Sequence, residues 1–231
     1  MKLLALDTSS VACSVALQID EAVTERHEEQ PREHTRLLMP MIESSLAEAR
    51  VSFADLDAIV LGNGPGSFIG MRIAASVAQG LAFGSGLEIV PVSSMAAVAA
   101  QVFAEYDAAE VVVAQDAHMG EVYLGIYQQG ETGIPVDRAP ERLQEPTAIA
   151  ELESSPDGGR FAAGFGWQRY PDLLAANQER FTDVVDVLYP RARYLLSIGA
   201  AGVVRGSAVT PQNIVPAYLR QKVAEKPVQK G

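Results

Sequence analysis

The chain has 231 residues, 48% of them apolar, and its 18 basic and 29 acidic side chains give a formal net charge of −11. This apolar content is enough for the core of one large domain or two small ones. The negative charge argues against a protein that grips a nucleic-acid backbone alone, because such binding depends on clustered lysines and arginines. No apolar run approaches the ~20 residues that span a bilayer, and the first apolar stretch is too short for a signal peptide. We therefore expect a globular, cytoplasmic protein.

The first part of the chain is predicted to form a sheet flanked by helices. Short apolar or alternating runs predict strands at residues 2–6, 11–18, 22–28, 57–61 and 87–92. Helices are predicted at residues 32–49 and 67–83, and Ser93 is a suitable N-cap for a third helix. Three strands thus precede the first helix.

A second strand, turn and strand unit begins near residue 110 and resembles the start of the chain. Residues 3–7 and 112–116 are apolar strands that end in an aspartate, Asp7 or Asp116, and a tight turn and an alternating strand follow each. This repeat favours two related α/β lobes, with the two aspartates facing each other across the cleft. Two ordinary hairpins with an aspartate in the turn would give the same pattern.

The second lobe has a less regular pattern. We expect strands at residues 111–115, 121–128 and 161–165, a short strand within 130–146, and helices at 147–153, 167–176 and 191–205. The segment 211–219 is expected to return to the first lobe. The predicted lobes are residues 1–107 plus about 210–231, and residues 108–209.

The most informative local feature is GNGPGSFIG at residues 62–70, where four glycines and a proline stand between a strand and a helix. This arrangement can point backbone N–H groups and the positive end of a helix dipole at an anion. The segment lacks the lysine of a Walker loop, and its spacing differs from the dinucleotide fingerprint. One helix end contributes only about 0.3–1 kcal/mol toward an anion, so any phosphate site here is weak. The candidate phosphate contacts are Asp7, Thr8, Ser9, Gly64, Gly66, Ser67 and Asp116.

The two aspartates are also candidate ligands for hydrated magnesium beside nucleotide phosphates, which usually needs only one or two carboxylates. The three histidines, His27, His34 and His118, form no HExxH motif and no pair four residues apart. No local zinc or iron site is therefore predicted.

Other reactive groups have ordinary interpretations. Ser67 does not fit a GxSxG nucleophile elbow because Pro65 stands where that motif has glycine, and it can serve as the N-cap of the next helix. Cys13, the single cysteine, lies in an alternating apolar run and is predicted to be a packed core thiol.

The first two helices are predicted to carry a protein interface. The first has one apolar stripe, and the second is apolar or small nearly all round, which packing on a sheet does not require. The candidate interface residues are His34, Leu37, Leu38, Met41, Ile42, Met71, Ala74, Ala75 and Ala78. A homodimer is expected when no other partner is present, because this face would otherwise be exposed.

Five segments together resemble the TsaB family, also called YeaZ: LDTSS at 6–10, PREHT at 31–35, GNGPGSFIGMR at 62–72, DAHMGEVY at 116–123 and PAYLR at 216–220. The resemblance spans essentially the whole chain. It implies an α/β, actin/Hsp70-like (ASKHA) fold of two ribonuclease-H-like lobes, with mixed sheets flanked by helices. It also implies membership of the bacterial complex that forms N6-threonylcarbamoyladenosine at position 37 of tRNAs reading ANN codons.

Within that complex the resemblance implies an accessory role. The catalytic paralogue TsaD carries a metal-binding histidine pair, which this sequence lacks, so the chain is expected to dimerise with TsaD and support it together with TsaE. It is not expected to be an enzyme by itself or to hold a cofactor tightly, although ATP or ADP with magnesium could bind at a subunit junction. Contact with tRNA is expected only through the complex. The family usually has threonine at the position of Ile69, and this departure removes a hydroxyl that could contact a phosphate.

Two other functions stay open from the residues. A nucleotide hydrolase or sugar-kinase-like phosphotransferase would use Asp7 and Asp116, as the fold class commonly does. A peptidase is the weakest alternative, because no nucleophile and base pair or zinc motif is recognisable. The terminal residues 216–231 are locally basic, which fits a solvated terminus or a contact with tRNA; the charged side chains are Arg220, Lys222, Glu225, Lys226 and Lys230.

Overall fold

The computed structural model describes residues 1–130, 132–152 and 156–220. The first sheet is built from β1 (Lys2–Asp7), β2 (Ala12–Ile19), β3 (Ala22–Glu29), β4 (Ala58–Gly62) and β5 (Ile89–Val92). Their order in the sheet is β3-β2-β1-β4-β5. β1, β2 and β3 are antiparallel neighbours, whereas β4 pairs in parallel with both β1 and β5.

The second sheet repeats this topology. Its strands are β6 (Glu110–Asp116), β7 (Val122–Gln129), β8 (Pro135–Gln144), β9 (Arg160–Ala163) and β10 (Asp183–Val184), in the order β10-β9-β6-β7-β8. β6, β7 and β8 are antiparallel neighbours, and β9 pairs in parallel with β6 and β10. The predicted two-lobed α/β fold is confirmed, and Asp7 and Asp116 end the equivalent strands β1 and β6.

Helices cover both faces of each sheet. They are α1 (His34–Ala49), α2 (Phe68–Ser85), α3 (Ser94–Glu105), α4 (Phe165–Arg169), α5 (Pro171–Asn177) and α6 (Ala192–Arg205). α1 and α2 pack on one face of the first sheet, and α6 packs on the other. Likewise α3 packs on one face of the second sheet, and Trp167 of α4 and Leu173 of α5 pack on its other face. Central strands are therefore buried on both sides, which explains their continuous apolar sequences.

Two predicted helices of the second lobe are wrong, and one predicted strand is longer than expected. Residues 147–152 form bends and turns instead of a helix, and the N–H of Ile149 donates to Oδ1 of Asn177 (2.9 Å). Residue 153 lies outside the described ranges. The short strand expected within 130–146 is the ten-residue β8. The helix expected at 167–176 is split into α4 and α5, because Pro171 has no N–H to continue α4 and disfavours a helical conformation at Tyr170.

The chain crosses between the lobes more than once. α6, which falls within residues 108–209, packs against β1, β2, β4 and β5 of the first sheet. Val209 then pairs with Ile89, and the N–H of Ala217 donates to the carbonyl of Asn63 (3.0 Å). The lobe boundaries stay predictions. The packing shows that α6 covers the first sheet, although it was placed within the residues of the second lobe.

Candidate functional site

A cavity of about 550 Å³ lies between the lobes, beside the ends of β1 and β6. Its wall includes the turn after β1, the glycine turn before α2, the start of α1 and the chain before α6. The apolar residues of the wall include Val11, Pro65, Ile69, Ile73, Met95, Phe165 and Tyr189. This is the cleft that the sequence repeat predicts, and its wall is more apolar than a phosphate site requires.

Asp7 is not part of the cavity wall. Its side chain is 1% exposed, and its Oδ1 accepts hydrogen bonds from the N–H and the hydroxyl of Ser9, both at 2.8 Å. Its Oδ2 accepts a hydrogen bond from the hydroxyl of Ser94 at 2.6 Å. Burial raises the pKa of the Asp7 carboxyl above its ordinary value of 3.8, although these hydrogen bonds act in the opposite direction. The carboxylate is thus engaged within the chain and does not face the cleft.

The glycine turn packs closely on the turn after β1. The hydroxyl of Thr8 donates to the carbonyl of Gly70 (2.7 Å), and the N–H of Ser67 donates to the carbonyl of Ser9 (2.6 Å). A Cβ on Gly66 would lie 2.2 Å from the carbonyl oxygen of Ser9, and one on Gly70 would lie 1.9 Å from that of Thr8. These two glycines are therefore needed for the contact between the turns, whether or not an anion binds.

The predicted phosphate contacts are only partly brought together. Ser9, Gly66, Ser67 and Asp116 line the cavity, whereas Asp7, Thr8 and Gly64 do not. The Ser67 hydroxyl accepts the N–H of Gly70 (3.2 Å), which is the N-cap role expected from the sequence. Gly64 instead adopts φ +87° and donates its N–H to the Ser94 hydroxyl (3.0 Å).

Asp116 reaches the cavity from the second lobe, but its carboxylate also has partners in the chain. Its Oδ1 accepts hydrogen bonds from the hydroxyl of Tyr170 and the N–H of His118, both at 2.8 Å. Its Oδ2 lies 3.2 Å from Nδ1 of His118 and 3.9 Å from Nε of Arg169. The two aspartates therefore do not form a facing pair of free carboxylates.

Most of the predicted interface residues belong to the core of the chain itself. Seven of them are at most 7% exposed: Leu38, Met41, Ile42, Met71, Ala74, Ala75 and Ala78. His34 is also buried, with Nε2 3.0 Å from the carbonyl of Ser10, and Leu37 is half-buried against the same core. The apolar stripes of α1 and α2 thus explain packing on the first sheet, and a partner would have to meet other residues.

The outer face of α2 is apolar or small as well. Ile69 and Phe83 are 70% and 73% exposed, and Ser76 and Gly80 between them are also exposed. Packing within the chain does not account for this face.

Two motifs far apart in the sequence meet at the start of α2. The guanidinium carbon of Arg72 lies 3.7 Å from the ring centroid of Phe68, and Nε of Arg72 donates to the hydroxyl of Tyr218 (2.9 Å). Arg220, two residues on, donates to the carbonyls of Ala117 (3.1 Å) and His118 in the second lobe. The segment 214–220 thus fastens the second lobe to α2; both motifs were visible in the sequence, but their contact was not.

Ser93 makes a second connection between the lobes, although the sequence predicted only its role as the N-cap of a helix. The Ser93 hydroxyl caps α3 by accepting the N–H groups of Met95 and Ala96, each at 3.1 Å. It also donates to the carboxylate of Glu141 on β8, to which the hydroxyl of Tyr127 donates as well. Burial raises the pKa of Glu141 above its ordinary value of 4.5.

Within the described ranges, no three His, Cys, Asp or Glu side chains are placed to hold a metal ion together. Among the helices described, none is both long and apolar enough to cross a bilayer.

Comparisons with known proteins give the class of protein first. The family model described as TsaD, tRNA N6-adenosine threonylcarbamoyltransferase, matches residues 21–226. This match and the two-lobed fold place the chain in the wider group of proteins related to that transferase.

Within the group the chain belongs to the TsaB, or YeaZ, family. It is 38% identical over 226 residues to the tRNA threonylcarbamoyladenosine biosynthesis protein TsaB of Escherichia coli, covering 98% of this chain and 97% of that protein. The protein of the same name from Haemophilus influenzae is 36% identical over 234 residues, covering 98% and 96%. A solved structure described as YeaZ from Pseudomonas aeruginosa has 37% identity and a TM-score of 0.85, covering 94% of this chain and 99% of that one.

Proposed function

We propose that this chain is the noncatalytic subunit of the cytoplasmic bacterial complex that forms N6-threonylcarbamoyladenosine at position 37 of tRNAs reading ANN codons. The observation that carries the proposal is the near full-length similarity to relatives named as TsaB biosynthesis proteins. The position of the Asp7 carboxylate supports a noncatalytic role, because it is hydrogen-bonded to Ser9 and Ser94 and lies outside the cavity wall.

The partner in this proposal is the catalytic subunit TsaD, with TsaE joining the complex. The outer face of α2 supports a helical interface, because it exposes small and apolar side chains where a surface helix usually carries charge. A second copy of this chain would cover the same face when TsaD is absent. ATP or ADP with magnesium would bind at the junction of subunits, and tRNA would be held by the complex as a whole.

A complementation experiment tests the proposal. In cells lacking this gene, tRNA hydrolysates should contain no N6-threonylcarbamoyladenosine by mass spectrometry, and the wild-type gene should restore it. Ser76→Arg should fail to restore it, because a bulky cation replaces a small side chain on the outer face of α2.

The matched control is Val204→Arg, an exposed position of α6 that is 79% exposed and lies on a different helix. It should complement as well as wild type. Normal modification in the deletion strain, or transfer of threonylcarbamoyl by the purified chain alone, would contradict the proposal.

A further inference from the structure

The outer face of α2 continues directly into the cavity between the lobes. Ile69 and Ile73, one turn apart on α2, both line the cavity, and Ile69 is 70% exposed. Thr35 of the first turn of α1 lies in the same wall. A partner that covers α2, as in the function proposed above, would therefore reach the mouth of the cavity.

The far wall of the cavity belongs to the second lobe and suits an apolar side chain. Phe165 and Tyr189 are half-buried there, with ring centroids 5.6 Å apart. Val11 and Met95 add aliphatic surface from the first lobe and from α3. The volume of about 550 Å³ falls within the usual range of ligand pockets and can enclose an aromatic anchor residue.

The mouth of the cavity favours a negative charge. Arg32 is an exposed residue of the wall and makes no hydrogen bond or ion pair with any residue in the described ranges. The N–H groups of Phe68 and Ile69 in the first turn of α2 also lack an intrahelical acceptor, as at any helix start. Asp116, which lines the cavity from the second lobe, is already bonded to Tyr170 and His118.

A free nucleotide is a poorer occupant than a protein side chain. Of the carboxylates that could hold a magnesium phosphate, Asp7 is enclosed by hydrogen bonds and Asp116 is partnered. Position 69, at the start of α2, carries isoleucine, which has no hydroxyl to offer a phosphate. These features leave no free carboxylate in the cavity wall, whose exposed surface is mainly apolar, and Arg32 stands at its edge.

We propose that this cavity receives a segment of the partner subunit in which an aromatic or long aliphatic side chain stands next to a carboxylate. The apolar side chain packs against Phe165, Tyr189 and Ile73, and the carboxylate meets Arg32. This inference rests on the proposed function, because it deepens the interface with the catalytic subunit.

Titration calorimetry of the full-length chain with TsaD from the same organism tests the inference. Phe165→Ala should weaken binding about tenfold or more, as expected for removal of one wall of an anchor pocket. Arg32→Glu should weaken it as well, with a loss that shrinks at high salt, whereas Arg32→Lys should retain most of the affinity. Val184→Ala is the matched control, since this apolar residue of the second lobe is 39% exposed and lies outside the cavity wall.

A second readout detects contact with the partner directly and does not require a change in affinity. A photo-crosslinking p-benzoylphenylalanine in place of Phe165 should crosslink to TsaD in the assembled complex, and the same group in place of Val184 should not.

The outcomes separate this inference from the proposed function. If Ser76→Arg abolishes binding while Phe165→Ala and Arg32→Glu bind like wild type and no crosslink forms, the cavity is not a docking pocket and the α2 interface stands. If Ser76→Arg also binds normally, the proposed interface is wrong. Saturable ATP binding by the isolated chain that Phe165→Ala removes would overturn the inference in favour of a small-molecule site.

Discussion

At the scale of single residues, the glycine-rich turn serves the fold of this chain directly. Gly66 and Gly70 allow the turn before α2 to touch the backbone after β1, and Gly62 leaves room for the carboxylate of Asp7. The same residue types would also suit a phosphate-binding turn. Contacts, and not composition, distinguish the two roles, because a Cβ at these positions would collide with the chain itself.

Gly70→Ala is expected to lower the free energy of unfolding by about 2–3 kcal/mol, because its Cβ would lie 1.9 Å from the backbone oxygen of Thr8. Urea denaturation followed by circular dichroism measures the change. The matched control is Gly80→Ala on the same helix, where a Cβ meets nothing within 4 Å. That variant should gain about 0.5–1 kcal/mol, since alanine favours a helix more than glycine does. Equal stability of the two variants would contradict the proposed role of Gly70.

At the scale of elements, α2 has two faces with similar composition and different roles. Ala74 and Ala78 are fully buried against the first sheet, whereas Ser76 and Gly80 are exposed. The sequence shows small residues all round the helix and predicts close contacts on more than one side. It does not tell which side faces the sheet, because alanine, serine and glycine differ little in hydrophobicity.

Ala78→Arg is expected to prevent stable folding, with a loss of roughly 4 kcal/mol or more, because it places an unpaired cation at a position with 0% exposure. Ser76→Arg should change the free energy of unfolding by no more than about 0.5 kcal/mol, as for ordinary surface substitutions. Thermal unfolding of both purified variants measures the difference. A folded Ala78→Arg protein together with an unfolded Ser76→Arg protein would reverse the assignment of the two faces.

At the scale of the whole molecule, two sets of side-chain contacts join the lobes. One joins Arg72 and Arg220 through the segment 214–220, and the other joins Ser93 to Glu141. The second connection and the end of β1 both contain a buried carboxyl whose pKa is raised by burial, Glu141 and Asp7. The stability of the whole chain should therefore depend on pH in a defined direction.

The free energy of unfolding is expected to fall as pH rises above the ordinary pKa values of 3.8 for Asp7 and 4.5 for Glu141. Over that window the folded chain binds more protons than the unfolded chain, so deprotonation favours unfolding. Asp7→Asn and Glu141→Gln should each reduce this slope, because an amide does not titrate. Urea denaturation at several pH values measures the slopes, and variants with the slope of wild type would show that these carboxyls do not titrate abnormally.

Much of the architecture follows from the sequence alone. The repeated pattern of apolar strand, aspartate, turn and strand predicted two related lobes. The continuous apolar runs predicted the central strands, because a strand that is buried on both faces is apolar along its length. Five motifs together, at residues 6–10, 31–35, 62–72, 116–123 and 216–220, indicated the TsaB family. Ser67 and Ser93 were correctly predicted as helix caps. These features depend on the identity and spacing of residues that are close together in the sequence, so they can be read from the sequence directly.

The tertiary structure decided which of these residues are available for function. It buried Asp7 and the stripes of α1 and α2, split the helix at Pro171, and brought Phe165 and Tyr189 to the wall of a cavity formed with α2. These outcomes depend on contacts between segments that are far apart in the sequence, because such contacts decide which side chains are buried and which are hydrogen-bonded. An aspartate or an alanine has the same letter whether it faces a core or a partner, so only the folded chain assigns its role.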